Sequence, residues 1–182
     1  MDRAARTSSP TAAWDALALR LDGSFRARAR GLLGSRFALL DSGGEEWGQL
    51  RMLGSYAAEI HAGETASEIE RTGEFGARYR MRTGGAPFLI AGPERPDEPL
   101  RIFCGGKTYE AETSVLRNTS IARRLTAHAP GSGPEPAGDG VSLSGGIAGR
   151  SYTATLPGGA GSALAVAVFL LYRNVAIRRA AF

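Results

Sequence analysis

The sequence predicts a mainly β protein, an antiparallel closed barrel of about 10–12 strands enclosing a C-terminal hydrophobic α-helix. Three observations carry this. From Leu17 to Leu156 apolar residues recur with period two rather than 3.6, as in strands with one buried face. Paired glycines and Asp/Gly turns cut that stretch at short, nearly regular intervals. The segment Ala163-Leu164-Ala165-Val166-Ala167-Val168-Phe169-Leu170-Leu171-Tyr172 is apolar on every side, so as a helix it needs cover all round. Ten helical residues span about 15 Å, whereas a bilayer takes ~20 residues. Enclosure by the strands is therefore the expectation.

Residues 1–13 are small and polar and read as a disordered tail, leaving 14–182 as one domain. Strands are expected over 17–21, 25–30, 36–40, 47–53, 56–62, 65–71, 77–82, 87–91, 100–104, 108–113, 120–126, 141–144 and 150–156. The clearest is Ala77-Arg78-Tyr79-Arg80-Met81-Arg82, with Ala77, Tyr79 and Met81 on one face and three arginines on the other. Phe25-Arg26-Ala27-Arg28-Ala29-Arg30 repeats the pattern. Turn signals separate the strands at Asp41-Ser42-Gly43-Gly44, Ala62-Gly63-Glu64, Thr83-Gly84-Gly85 and Gly105-Gly106. Two segments interrupt them, the proline-rich 92–99 and the Pro/Gly-rich 128–140; both read as exposed loops dispensable to the fold. The residues after the second loop are too few to fold alone and must return to the body. Ser162 is placed as N-cap of a central helix over about 162–178. After Tyr172 the polar Arg173, Asn174, Arg178 and Arg179 mark where the helix is expected to leave the core.

The chain has 182 residues, a formal charge of +4, and a single lysine, Lys107, among its basic residues. Cys104 is the only cysteine, which excludes an intramolecular disulfide and a cysteine metal cluster. No apolar core follows Met1-Asp2-Arg3-Ala4-Ala5-Arg6, so a cytoplasmic protein is expected. Gly159-Ala160-Gly161-Ser162-Ala163 only superficially matches a dinucleotide-binding turn, because Leu164 stands at the third glycine position and no strand follows. His61 and His128 are isolated from other ligand candidates. Glu68 with Glu70, and Glu110 with Glu112, share strand faces, which suits acid–base or cation chemistry, or ion pairing across strands. No nucleophile–base–orienter set accompanies them, so catalytic residues, cofactors and metals are not expected.

The arginine ladders Arg26/Arg28/Arg30 and Arg78/Arg80/Arg82 are the surface feature with a physical claim on a ligand. Alternate strand residues project roughly 7 Å apart, and arginine favours phosphate oxygens. If the two strands adjoin, six charges make one patch facing anionic headgroups. The modest net charge and scattered aromatics argue against nucleic acid.

Many short strands followed by a terminal, wholly apolar helix resembles the layout of the tubby-like barrel superfamily, which includes the tubby C-terminal domain, the LURP-one-related proteins and the phospholipid scramblases. The resemblance covers the strands from Leu17 to Leu156 and the helix from Ala163 to Tyr172; Phe37-Ala38-Leu39-Leu40-Asp41-Ser42-Gly43-Gly44 is similar in texture to a strand and its turn. It implies an antiparallel barrel of about twelve strands around a hydrophobic helix, and fold transfers more readily than activity. The expected function is a non-enzymatic binding module contacting anionic phospholipid headgroups through the six arginines, peripheral at the membrane. The alternatives are a tail-anchored membrane protein with its helix in lipid, a protein–protein interaction barrel, and an enzyme using the glutamate-bearing strands.

Overall fold

The computed structural model describes residues 9–31, 34–73, 77–95, 98–126, 135–146, 148–158 and 160–180. The elements run α1 (Pro10–Leu19), β1 (Ser24–Arg30), β2 (Arg36–Leu40), β3 (Glu46–Met52), β4 (Ala57–Ala62), β5 (Thr65–Thr72), β6 (Arg78–Thr83), β7 (Ala86–Ala91), β8 (Leu100–Cys104), β9 (Lys107–Ser114), β10 (Thr119–Thr126), β11 (Glu135–Gly145), β12 (Ser151–Thr155) and α2 (Gly161–Ala180). The twelve strands form one antiparallel meander that closes when β1 pairs with β12. Closure removes the sheet edges. The tight turns follow the glycine pairs: Gly84 and Gly85 take φ of 57° and 81°, and Gly105 and Gly106 take 54° and 74°, a region open mainly to glycine.

Period two in the sequence becomes inside and outside here. Phe25 and Ala27 on β1, Tyr79 and Met81 on β6, and Ile102 and Cys104 on β8 face inward and are buried, while Arg26, Arg80 and Phe103 between them face outward. A barrel of eight strands is filled by its own side chains. Twelve leave room for a helix, about 10–12 Å across with its side chains. The inner wall is lined in part by the small residues Ala58, Ala62, Ala91, Ala111, Ala122 and Ala154. Every residue of α2 from Gly161 to Ala176 is buried, and Val168, Phe169 and Leu171 are wholly inaccessible. The Phe169 ring meets Tyr79 edge-on at 5.2 Å between centroids. The helix is long and apolar enough to cross a membrane by length and composition alone, yet the barrel encloses it.

The N-terminal expectations are corrected. Residues 10–13 belong to a helix rather than a tail, and the strand expected over 17–21 is absent because α1 runs to Leu19. Alternating Leu17, Leu19 and Leu21 suggested period two. The buried set is Trp14, Leu17, Ala18 and Leu21, the i, i+3, i+4, i+7 face of a helix, with Leu19 exposed. Residues 1–8 of the expected tail lie outside the described residues.

This helix closes the end of the barrel where α2 begins. Trp14 stacks on Phe88 at 6.2 Å and donates from Nε1 to Thr83 Oγ1 at 2.9 Å. Asp15 supplies the cap for α2: its Oδ1 accepts the Gly161 amide at 2.8 Å, placing negative charge at the helix N-terminus. Ser162, expected as the N-cap, sits inside the first turn and pairs its hydroxyl with that of Tyr109 at 3.0 Å. A Cβ on Gly161 would meet the Asp15 amide nitrogen and the Trp14 carbonyl carbon, each at 2.4 Å, so only glycine admits this approach.

At the other end α2 stays buried for longer than expected. Arg173 and Asn174 lie within the core and the helix emerges only from Ile177. The loop expected over 128–140 is shorter, since β11 begins at Glu135. Pro136 is tolerated because β12 pairs with β11 only from Ser142 onward, leaving residue 136 with β10 alone as partner. Residues 128–134 of that loop lie outside the described residues.

Truncating Phe169 to alanine should cost ~3–5 kcal/mol, as for large core side chains. Gly161→Ala should lower stability by ~1–3 kcal/mol through overpacking against α1, whereas Gly158→Ala, which meets open space, should be close to neutral. Denaturant unfolding of the three variants checks this ranking.

Candidate functional site

Both arginine ladders face outward, but they do not meet. In the barrel β1 lies between β12 and β2, and β6 lies between β5 and β7, so β2 to β5 separate them by the shorter way round. The single six-charge patch is therefore corrected to two separate walls. Arg26 donates to the Ser42 carbonyl at 3.2 Å and Arg30 pairs with Glu46, while Arg28 faces Ser151 and Ala38 in register. On β6, Arg82 pairs with Glu70 at 3.3 Å, Glu68 stands opposite Arg82 and Glu70 opposite Arg80. Arg78 and Arg80 have no ion pair among the described residues. One carboxylate of each pair thus acts as a cross-strand ion partner, Glu70 with Arg82 and Glu112 at 3.9 Å from Arg123, while Glu110 only stands in register between Arg101 and Arg123.

One other candidate is inert by position. Burial pushes the Cys104 thiol up to about 12, which removes the thiolate that reactivity needs. His61 is exposed, 3.8 Å from Glu59, and His128 lies outside the described residues.

The barrel mouth where α2 ends holds a charged network that the sequence reading missed. Arg173 is 8 % exposed, and a buried charge requires a partner. Glu94, from the β7–β8 loop, accepts from both Nε and Nη2 of Arg173, and Thr113 accepts from Nη1. Tyr79 donates its hydroxyl to the other Glu94 oxygen, and Arg71 stands 3.9 Å from the same oxygen with its guanidinium 5.5 Å from the Tyr79 ring centre. Burial alone would raise the Glu94 carboxyl; the Arg173 charge, with the Tyr79 hydrogen bond, holds it below its ordinary value. Burial and the Glu94 bond raise the Tyr79 hydroxyl. The 92–99 loop is therefore not dispensable, because it carries the counter-charge of the core helix. The legible signal was Arg173 itself, a cation that interrupts an apolar helix before its pattern opens. A cavity of about 670 Å³ adjoins the network, lined among others by Arg95, Glu98, Glu112, Val115 and Ile177.

The same end carries four exposed apolar side chains. The β9–β10 turn presents Val115 and Leu116, the latter 100 % exposed, followed by Arg117. Across the rim the β3–β4 turn exposes Leu53 and Tyr56. Antiparallel topology brings the β1–β2, β5–β6 and β11–β12 turns to this end, with Arg36, Arg78 and Arg150 beside them and Arg178 and Arg179 on the emerging helix. The opposite end, by α1, carries Asp15, Asp22, Asp41, Glu45 and Glu64. Arg36, Arg78, Arg150, Arg178 and Arg179 thus surround the apolar turn at one rim, which also holds Glu94 and Glu98, while the end by α1 adds Arg20, Lys107 and the exposed Leu19 to its carboxylates. The signal for the tip was Val115-Leu116 standing between two strands, where a turn calls for polar residues.

Comparison with protein-family models, curated proteins and solved structures finds no match for this chain.

Removing the Glu94 charge (Glu94→Gln) should cost ~3–5 kcal/mol, since it strands a buried guanidinium. The double variant Glu94→Gln/Arg173→Met should recover most of that loss. Because the folded Glu94 value lies below the unfolded one, its contribution is present above the ordinary glutamate range and is lost as pH falls through the folded value. Unfolding free energies measured from neutral pH downward should therefore fall less steeply in the double variant than in the parent.

Proposed function

We propose that the protein is a non-enzymatic module that docks on an anionic phospholipid surface through the basic rim of its barrel. The carrying observation is the fully exposed Leu116, beside Val115 and Arg117, at the end where Arg178 and Arg179 emerge. An apolar tip set among basic residues suits an interface in which side chains enter the headgroup region while arginines meet phosphates. Burying one leucine contributes ~1.5–3 kcal/mol and each nearby basic residue about 1 kcal/mol. Leu53 and Tyr56 give the plane a second point of rest across the rim. The β1 and β6 ladders, flanking the barrel, then add long-range attraction rather than the contact itself. A strand meander around a terminal helix also supports placing the chain with the tubby-like superfamily, at the level of fold. The corresponding location is peripheral, at the cytoplasmic face of a membrane.

Co-sedimentation with vesicles tests this. Binding to vesicles rich in phosphatidylglycerol should exceed binding to neutral phosphatidylcholine vesicles and fade from low to physiological salt. Leu116→Ser with Arg117→Glu should remove most of it, and reversing Arg26, Arg28 and Arg30 together should weaken it less. Equal, negligible sedimentation with both vesicle types would overturn the docking reading. Loss on ladder reversal without loss at the tip would move the contact to the walls.

A further inference from the structure

The wall formed by β6, β7, β8 and β9 carries a second apolar feature, well away from Leu116. Ile90 and Phe103 stand directly opposite each other in register, 51 % and 52 % exposed. A depression of about 290 Å³ opens beside them, lined among others by Pro87, Phe88, Gly105 and Thr108. Barrel walls are otherwise faced here with charged or polar side chains, so a paired isoleucine and phenylalanine leave apolar area that solvent does not favour.

The charges flanking this pair differ in sign from side to side. On β6 the outward residues are Arg78, Arg80 and Arg82; on β9 they are Thr108, Glu110 and Glu112. Register fixes their levels. One row runs Arg80, Ile90, Phe103, Thr108 across the four strands. The next runs Arg78, Gly92, Arg101, Glu110, with the Gly92 amide bonded to the Arg101 carbonyl at 3.0 Å. Neither Arg78 nor Glu110 has an ion pair among the described residues. An anionic surface would be repelled by Glu110 and Glu112, and a partner of one charge sign would meet its own sign on one flank.

We infer that this wall is a homodimer interface in which two copies pack face to face about a two-fold axis parallel to the strands, between β7 and β8. That rotation sets β6 over the partner's β9 and β7 over the partner's β8. Ile90 then meets the partner's Phe103, and Arg78 meets the partner's Glu110. Arg101 lies over the partner's Gly92, the one position in the row without a side chain to oppose it. Each contact occurs twice, as an isologous interface requires. Sheets packed with strands nearly aligned are a common arrangement. Because two convex walls touch over few strands, the contact falls in the small, reversible class of interfaces.

Sedimentation equilibrium of the full chain, from about 1 to 200 µM, reads the dimer directly, and the affinity scale follows from the midpoint. Phe103→Glu should raise the dissociation constant more than about thirtyfold, as for a central anchor, while its melting temperature stays near that of the parent. Phe103→Ser should act in the same direction, which guards against a folding defect in the glutamate variant. Arg78→Glu and Glu110→Arg should each weaken the dimer, and combining them should return it to within a few-fold of the parent. A chain that stays monomeric throughout would overturn the inference. So would a dimer indifferent to Phe103→Glu, or one that the combined charge exchange fails to restore. Vesicle docking through the rim is read separately, and its failure leaves this outcome unaffected.

Discussion

A helix that is apolar on every side has no solvent face, and the architecture follows from that constraint. In water such a segment requires cover over its full circumference, which neither a single sheet nor a helix pair supplies. A closed meander does. Twelve strands give an interior wide enough for one helix, and alanines along the inner wall leave space where larger side chains would collide with it. The helix therefore serves as the core on which the strands close.

The two ends of the helix are held by different chemistry. At its start α1 closes the opening with Trp14 and presents Asp15 to the first free amide, at an approach that glycine alone permits. At its far end the helix carries a cation into the core, and the fold answers with Glu94 from a loop and hydroxyls from Tyr79 and Thr113. Ser120 donates to Asn174 Oδ1 one residue further on, at 2.8 Å. Apolar packing fixes the helix by shape alone and has no direction. Directional polar contacts at both ends set one register, a role for which buried polar groups are well suited. The polar mouth also adjoins the rim where Arg178 and Arg179 emerge, so the chemistry that fixes the helix and the exposed turn at Leu116 share one end of the molecule.

Most of the strand layout was legible because alternation is a local signal. Ala77 to Arg82 states its two faces outright, and the glycine pairs state the turns. The helix was legible from composition. What escaped were features that depend on what the chain meets elsewhere. Leu17, Leu19 and Leu21 alternate with period two, Leu17 and Leu21 fit a helix face as well, and only Trp14 and Ala18 decide for a helix. Glu94 sits among prolines in a segment with no pattern, and its role comes from Arg173, distant in sequence. The separation of the two arginine ladders is a property of strand order, which no window of residues contains. The tip at Val115-Leu116 was present in the sequence as an apolar pair in a turn, a departure from turn chemistry.

Because the barrel closes on the helix, the two should unfold as one. Native-state hydrogen exchange measures this most directly, amide by amide. Cooperative units reveal themselves by a shared opening free energy. Amides from Leu164 to Tyr172 should exchange only through global unfolding, with the same free energy as the inward-facing strand residues Ile60, Met81 and Ile102. Exchange of the helix at markedly lower free energy, while those strands stay protected, would mean that the barrel stands without its core helix and would contradict the account.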